Sequence, residues 1–422
     1  MTTEEQVSRG LWIDPNFLKL WGSETISLFG SAITSLALPL LAVQLLNATP
    51  AQMGYLGAAQ FLPFLLLSLP LGVWVDRRRR RPLLVLANLG RALLLALIPL
   101  GAMLGWLRME VIYPIAFFVG TCDALFHLAY SSYLPGLVGQ HHLVEGNSKL
   151  QASASVAEIA GPGLAGVLVG WLGAPVAIAV DVTSYLLSAL GIGTIRHVEI
   201  SLGHSRQKVN LIREIKEGLQ LIFRHPMLRI MAVEAATFNG GAQALSTLLV
   251  LYATRELHLS ADRIGLIYGV AGVGALIGSM VAGPLARRIG FGRALVSTAA
   301  LACIPPLLVP AAQSAPGFTL PVLMTAFFLE GMGLAASSIH FLSLRQALSP
   351  VTLLGRMTAS YRTLTYGIVP LGALFFGFLG ERVGVRTALW IGTGLMSVAW
   401  LWVRFSPVWR LEELPQSPAI HA

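Results

Sequence analysis

The sequence predicts an all-α integral membrane protein whose twelve transmembrane helices form two six-helix bundles with pseudo-symmetry. Hydrophobic residues make up 55% of the chain and charged residues only 12%, about half the charged share of a soluble domain. So few charges could not cover the surface of a soluble chain of 422 residues. Long apolar stretches recur along the whole sequence, and its two halves repeat one pattern, which indicates paired bundles.

Twelve apolar stretches, each about 20 residues or longer, are long enough to cross a bilayer. In the first half they cover residues 18–45, 51–75, 82–105, 110–137, 148–171 and 174–195. In the second half they cover residues 227–254, 262–286, 293–314, 318–343, 356–380 and 385–405. These stretches predict three parts: an N-terminal six-helix bundle (1–195), a cytoplasmic amphipathic linker (196–226) and a C-terminal six-helix bundle (227–422).

The second stretch of each half carries the internal repeat. Gly54 and Gly72 correspond to Gly265 and Gly283, and both passages end in arginines. The second copy lies half a chain after the first, six predicted helices further along. This spacing indicates a duplication in which the two bundles run parallel.

The distribution of basic residues predicts the orientation in the membrane. An even number of spans places both termini on the same side. Most of the 29 lysines and arginines lie in the tails or in loops on that side. The opposite loops carry only Arg108, Arg255, Arg263, Arg382 and Arg386. By the positive-inside rule both termini are cytoplasmic. The N-terminus also lacks the basic and apolar pattern of a cleaved signal peptide.

A short basic loop separates the second and third stretches. It reads Gly72-Val-Trp-Val-Asp76 followed by five arginines, Arg77 to Arg81. This passage resembles the Gly-x-x-x-Asp-Arg-x-x-Arg-Arg loop of the major facilitator superfamily, which implies the major facilitator fold. The resemblance also implies that Gly72, Asp76, Arg77 and Arg81 form a conformational latch of the outward-open state. The alternative is that the arginines only anchor topology and contact anionic lipid.

The fifth stretch contains Gly161-Pro162-Gly163-Leu-Ala-Gly166, which resembles the antiporter motif Gly-Pro-x-x-Gly-Gly of the same superfamily. Small residues at every fourth position allow another helix to approach closely, and Pro162 is expected to kink the helix. Gly161, Pro162 and Gly166 are the matching positions. In the superfamily this motif accompanies export rather than uptake. Ala165 replaces one glycine of the motif.

Further passages resemble one branch of the superfamily, the bacterial macrolide-efflux and enterobactin-exporter proteins among the drug:proton antiporters. They are Leu36–Leu40, Tyr133–Gly136 and Asp181–Ser188, and the resemblance covers nearly the whole chain. It implies a multi-pass transporter of the bacterial plasma (inner) membrane that exports small molecules. Such structural motifs carry little information about the substrate.

Charged residues inside a bilayer cost at least about 2.5–3.5 kcal/mol each, so each one needs a functional or structural reason. Six acidic residues fall within the predicted spans: Glu24, Asp123, Glu158, Asp181, Glu234 and Glu330. Four basic or histidine side chains are their possible partners: Arg91, His127, His340 and Arg362. Glu24 and Asp181 lie nearer the span ends, which favours a structural role for both.

Glu158 is our first candidate for proton coupling, because it lies near the midplane one turn before Pro162. The alternative is a fixed ion pair with Arg91 or a hydrogen bond across the bundle. Asp123 and His127 lie one turn apart and could form either a proton relay or a local pair. Glu234 and Glu330 could line a cavity in the second half and attract cationic substrates. Helix packing or a water-filled vestibule accounts for their positions equally well.

Aromatic residues along the spans could form an apolar substrate pocket. Lipid-facing or core positions are the alternative for this set: Phe61, Phe64, Phe117, Phe118, Phe238, Phe327, Phe328, Phe375 and Phe376.

These patterns lead to one functional hypothesis. The chain is expected to be a secondary transporter, not an enzyme, that exports an amphipathic small molecule (a drug, an antibiotic or a siderophore-like compound) by proton antiport with alternating access. The partners are the substrate, protons and membrane lipids. We expect no nucleic acid, cofactor or metal, and a functional monomer. The open alternatives are a nutrient uptake symporter or facilitator of the same fold, and a lipid scramblase or intramembrane enzyme.

Overall fold

The computed structural model describes residues 11–139, 141–196, 211–312, 317–350 and 353–415, and every regular element among them is helical. The first half contains α1 (Pro15–Gln44), α2 (Pro50–Asp76), α3 (Arg80–Leu104), α4 (Met109–Val138), α5 (Leu143–Leu172) and α6 (Ala174–Gly193). The second half begins with α7 (Leu211–Arg224), α8 (Pro226–Arg255), α9 (Ala261–Ile289), α10 (Phe291–Cys303) and α11 (Leu308–Ala311). It ends with α12 (Thr319–Leu348), α13 (Leu354–Tyr366), α14 (Ile368–Val383) and α15 (Val385–Arg404).

Each of the twelve predicted stretches has a helix or a pair of consecutive helices at its position. Within the described residues, nine segments are long and apolar enough to cross a membrane, or ten if the bent α2 counts as one span. The pairs α10–α11 and α13–α14 each form one such segment, and α8 and α15 fall below the same measure of hydropathy. The positions of the twelve predicted stretches therefore agree with the helices of the fold. Within the described residues, the criterion of length and apolarity identifies nine or ten membrane spans.

Local sequence signals explain several helix boundaries. Asp14 caps α1, because its Oδ1 accepts hydrogen bonds from the backbone N–H groups of Asn16 (2.8 Å) and Phe17 (3.4 Å). Gly105 ends α3 with a φ of 73°, a left-handed conformation that glycine adopts without strain. Pro70 lies where α2 bends by 57°, as expected for a proline inside a helix.

The described helices belong to two compact units. The first unit comprises Met1–Ala48, Ala59–Ser205 and Ser260–Gly265, and the second comprises Thr49–Ala58, Arg206–Leu259 and Leu266–Ala422. Relative to the predicted division at 195 and 227, the segment Thr49–Ala58 falls in the second unit and the segment Ser260–Gly265 falls in the first. The predicted bundle boundaries stay a prediction.

In the first unit, α1 packs against α5 and α6, and α3 packs against α4 and α6. Close contact of α1 with α6 depends on a small residue, since a Cβ at Gly30 would lie 2.1 Å from the Ser184 hydroxyl oxygen. The cytoplasmic end predicted for this unit has an apolar core that includes Phe17, Leu84 and Tyr133.

In the second unit, α15 and α14 pack along α8, and α10 packs against α12. Glycines let α9 and α12 touch through their backbones. A Cβ at Gly274 would lie 2.2 Å from the Phe328 carbonyl oxygen, and one at Gly278 would lie 2.1 Å from the Met332 carbonyl oxygen. This unit therefore owes its helix spacing to small residues, as is common in membrane bundles.

The predicted amphipathic linker appears in part as α7, while residues 197–210 lie outside the described part of the chain. Ile222 on this helix is fully buried and Phe223 is half-exposed. Glu217 forms an ion pair with Arg356 of α13 (Oε2–NH1 2.5 Å). The helix is therefore attached to the second unit by one buried face and one charge pair.

Candidate functional site

A polar cluster surrounds Arg91 in the interior of the first unit. The Arg91 guanidinium donates hydrogen bonds to Asp123 Oδ1 (3.0 Å) and to Asn88 Oδ1 (2.6 Å). It lies between the rings of Phe126 and Tyr185, with its Cζ 4.4 Å from each ring centroid. Two aromatic faces and two acceptors thus hold one buried cation that connects α3, α4 and α6.

Two further carboxyl groups lie in the same unit. Asp181 is fully buried and accepts hydrogen bonds from Thr34 Oγ1 (2.5 Å) and Ser184 Oγ (2.9 Å). The Glu24 oxygen Oε2 is enclosed and, within the described residues, has no hydrogen-bond partner. Arg91 interacts electrostatically with Glu24 and Asp123, and its enclosed Nε is also without a partner in this part of the chain.

The structure gives Arg91 a different partner from the one considered for Glu158. The possible ion pair between Glu158 and Arg91 is wrong in this structure, because the Arg91 side chain points to Asp123 on the adjacent α4. Asp123 therefore forms an ion pair with this cation. The His127 ring lies 6.2 Å from the Phe64 ring, measured between centroids.

Glu158 is exposed and lies on a distinctive side of α5. Four of the six large exposed apolar residues of this helix form one stripe, namely Val156, Leu164, Val167 and Trp171, while Val144 and Leu172 at its two ends lie outside it. At 100° per residue, Glu158 lies on the opposite side of the helix from that stripe. An exposed apolar stripe suits lipid, so Glu158 lies on the side of α5 that faces away from lipid.

The motif of α5 is used for close helix contacts. Ser153, Ala157, Gly161 and Ala165 are all buried. A Cβ at Gly161 would lie 2.3 Å from the Ala32 Cβ of α1, and one at Gly166 would lie 2.6 Å from the Ala261 carbonyl oxygen, both within the first unit. Pro162 lies inside the helix between them. The antiporter role of the motif stays a prediction.

The predicted latch residues lie at the end of α2 and the start of α3. Asp76 and Arg77 are exposed, and a Cβ at Gly72 would meet no atom within 4 Å. Arg81 donates through Nε to the Ile192 carbonyl oxygen (3.2 Å) and also bonds the Gly193 carbonyl. Arg81 therefore binds backbone carbonyl groups at the C-terminus of α6, a favourable place for a cation. The latch itself stays a prediction.

The second unit contains a cavity of about 400 Å³. Its wall includes Glu234 of α8, which is 5% exposed, and Arg345 in the last turn of α12. The Arg345 guanidinium lies over the Tyr361 ring, 4.0 Å from its centroid, and the Tyr361 hydroxyl donates to the Met231 carbonyl oxygen (3.0 Å).

The same cavity is lined by Arg362, whose Cζ lies 5.9 Å from the Tyr366 ring centroid. Phe238, one of the predicted aromatic candidates, forms part of its apolar wall. Glu330 does not line this cavity. It interacts electrostatically with Tyr268 instead.

Sequence reasoning missed several residues of both sites. The sequence predicts Arg345 only as a cation of a cytoplasmic loop, and it predicts no functional role for Asn88, Tyr185 or Tyr361. Their signal was weak, because polar and aromatic residues are common in helices. Arg345 alone had a detectable signal, since it comes directly after the long predicted span 318–343, and the observed helix extends past it to Leu348.

A multi-pass helical chain with buried ionisable groups inside its spans has the architecture of a membrane transporter. The family model described as "Transmembrane secretion effector" matches residues 13–421, so the chain belongs to this family of major facilitator superfamily transporters. Family and fold are those of transporters and not of enzymes.

Named relatives and solved structures agree with this assignment. The chain is 25% identical over 395 residues to the enterobactin exporter EntS of Citrobacter koseri, covering 92% of this chain and 91% of the relative. It is 22% identical over 379 residues to macrolide efflux protein A of Streptococcus pyogenes, covering 88% and 90%. The crystal structure of the nucleoside transporter NupG has the same fold, with a TM-score of 0.74 at 13% identity over 93% of this chain and 98% of that chain. The predicted resemblance to the macrolide-efflux and enterobactin-exporter branch is confirmed.

Proposed function

We propose that this transporter exports an amphipathic small molecule across the bacterial inner membrane in exchange for protons. The relatives named as exporter and efflux protein support the outward direction. We also propose that both termini are cytoplasmic and that the monomer is the functional unit, with membrane lipids as its surroundings.

One observation carries the proton-coupling part of this proposal. Within one enclosed cluster of the first unit, the acceptor Glu24 Oε2 and the donor Arg91 Nε both lack hydrogen-bond partners in the described chain. Buried polar groups are nearly always bonded, so an unpaired donor and acceptor that interact electrostatically need an explanation. Ionisable groups inside membrane spans are the positions at which transporters hold and release protons.

The cluster offers a simple mechanism. With a proton on Glu24, Arg91 pairs with Asp123 alone, as in this structure. Loss of that proton gives Glu24 a negative charge, which then competes with Asp123 for the same guanidinium. Moving the cation between these two carboxylates shifts the preferred positions of α1, α3 and α4. Protonation is thereby linked to a conformational equilibrium.

Glu158 supplies the second proton-carrying group of the proposal. It is exposed on the side of α5 that faces away from lipid, so it can exchange protons with water. The enclosed Glu24 cannot do so as readily. We therefore propose Glu158 as the accessible acid and the Glu24–Arg91–Asp123 cluster as the group that responds to the proton. Asp123, His127, Glu234 and Glu330 remain the other candidates for proton coupling.

Proton movement in proteoliposomes tests this function. Purified protein is reconstituted with a pH-sensitive dye inside the vesicles, and amphipathic antibiotics and siderophores are added in turn. We expect at least one compound to drive proton flux. We also expect Glu24→Gln and Glu158→Gln each to reduce that flux about 10-fold or more, since glutamine keeps the side-chain size but cannot carry the proton.

Glu110→Gln is the matched control, because Glu110 is an exposed acid at the start of α4 in the same unit. Its flux should equal that of the wild type. Normal flux in both Glu24→Gln and Glu158→Gln would move the carrier to Asp123, His127, Glu234 or Glu330. If a compound equilibrates across the wild-type membrane without any proton flux, the antiport proposal is wrong and facilitated transport takes its place.

A further inference from the structure

Two arginines of the second unit have no role in the proton cluster. Arg345 and Arg362 both line the cavity that contains Glu234. Within the described residues, neither guanidinium has a carboxylate oxygen within 4.0 Å. Arg345 interacts electrostatically with Glu234 without a close contact. Cations in or near membrane spans normally have a charged partner, so two guanidinium groups that share one cavity without a carboxylate contact suit a negatively charged ligand.

The tyrosine rings explain how these cations are held without a carboxylate. Arg345 stacks on Tyr361 with its Cζ 4.0 Å from the ring centroid, and Arg362 lies 5.9 Å from the centroid of Tyr366. Tyr361 is itself fixed by its hydrogen bond to the Met231 carbonyl. The Arg345 guanidinium also forms a hydrogen bond with the Tyr361 side chain. A guanidinium has five N–H donors on a planar edge, so donors remain that match a carboxylate or sulfonate.

The charges of the cavity favour a negative ligand. Glu234 is the only acidic residue of its lining within the described chain, and it stands against two arginines. The lining therefore carries a net positive charge whether or not Glu234 holds a proton. The remaining wall contains apolar side chains, among them Phe238, Leu334 and Phe341, which suit an apolar body next to the charged group.

From this cavity we propose that the transported molecule is an amphipathic organic anion, with an aromatic or aliphatic body and a carboxylate or sulfonate that pairs with Arg345 and Arg362. This inference rests on the proposed export function for its biological meaning, while the binding site itself is independent of proton coupling. Arg345 lies in the last turn of α12, at the end that the charge distribution assigns to the cytoplasm. An exported anion would reach this end first.

Equilibrium binding to a matched series of probes tests the proposal. Isothermal titration calorimetry at pH 7 uses the full chain in phosphatidylcholine nanodiscs. The probes are 2-naphthoate, 2-naphthamide and 2-naphthylmethylammonium, which share one ring system and differ in charge. We expect the wild type to bind the carboxylate about 10-fold more tightly than the amide and to bind the ammonium compound most weakly.

Variants assign this preference to the cavity. Arg362→Gln should reduce 2-naphthoate affinity about 10-fold, and Arg345→Gln with Arg362→Gln should abolish the preference over the amide. Glu234→Gln should raise 2-naphthoate affinity about 3-fold, because it removes a nearby negative charge. Arg382→Gln is the matched control, since Arg382 is also exposed and lies 5.0 Å from the Phe378 ring centroid, but it does not line the cavity.

The outcomes separate this proposal from its rivals. Equal affinity for all three probes, preference for the ammonium compound, or a carboxylate preference that survives the double variant would overturn it. Nanodiscs containing phosphatidylglycerol test whether a lipid headgroup takes the same site. Unchanged 2-naphthoate affinity supports a small organic anion, and full displacement overturns it in favour of lipid. None of these measurements uses a pH gradient, so failure of proton antiport would leave the binding result standing.

Discussion

Replacement of Arg91 by methionine should destabilise the first unit by about 3 kcal/mol. Methionine fills much of the space between Phe126 and Tyr185 but supplies no donor to Asp123 or Asn88. Breaking a buried ion pair by removing one partner costs about 3–5 kcal/mol, because the other charge stays behind. The Asp123 side chain is 40% exposed, which places the expected cost at the lower end. The free energy of unfolding in detergent micelles measures it.

A double variant checks the physical reason. Arg91→Met combined with Asp123→Asn removes both charges, so its free energy of unfolding should lie between those of the wild type and Arg91→Met. Arg91→Lys should not restore wild-type stability, because an ammonium cannot donate along two fixed directions while stacked between two rings. If the double variant were less stable than Arg91→Met, the ion pair would not be the source of the cost.

Replacement of Gly278 by alanine should destabilise the second unit by about 3 kcal/mol or more, an exceptional effect for one methyl group. The added Cβ would lie 2.1 Å from the Met332 carbonyl oxygen, so α9 and α12 would have to separate. The displaced atom belongs to helix backbone and cannot rotate away. We expect a large loss of monodisperse protein in size-exclusion chromatography and a lower temperature of thermal unfolding.

Gly283 provides the control on the same helix. The nearest atom to a Cβ at Gly283 is Arg287 NH1, at 3.6 Å, which is ordinary contact with a flexible side chain. Gly283→Ala should therefore leave stability unchanged or raise it by up to about 1 kcal/mol through better helix propensity. Equal losses in Gly278→Ala and Gly283→Ala would show that backbone contact between α9 and α12 is not the cause.

The helical architecture could be predicted well from the sequence because its signals are local. Hydrophobic length alone places α1 and α6 close to the predicted stretches 18–45 and 174–195. The same logic is weaker for α8 and α15, which are less apolar. These two helices pack closely on each other, with a Cβ at Gly392 only 2.1 Å from the Ala244 Cβ. α8 is covered by protein along much of its length, and such a helix needs less apolar surface than one facing lipid.

The candidate sites could be predicted only in part. The acidic residues inside the spans were recognisable because charge in a bilayer is rare and costly. Their partners were not. Arg91 could be matched with several carboxylates along the chain, and only the rotation of α3 against α4 directs it to Asp123. In the sequence Arg345 resembles an ordinary loop cation. In the structure α12 extends to Leu348, so Arg345 lies on this helix and in the cavity wall.

Hydropathy, basic loops and the repeated glycine pattern were enough to predict a helical membrane transporter of the major facilitator type. These features depend on neighbours along the chain, and the bilayer imposes them residue by residue. Contacts between helices decided the rest: the pairing of Arg91, the enclosed Glu24 oxygen, the side of α5 that carries Glu158 and the two arginines that share a cavity with Glu234. Such contacts depend on the rotation of each helix about its axis and on how closely small residues let two helices approach. The apolar content of a helix determines neither of these.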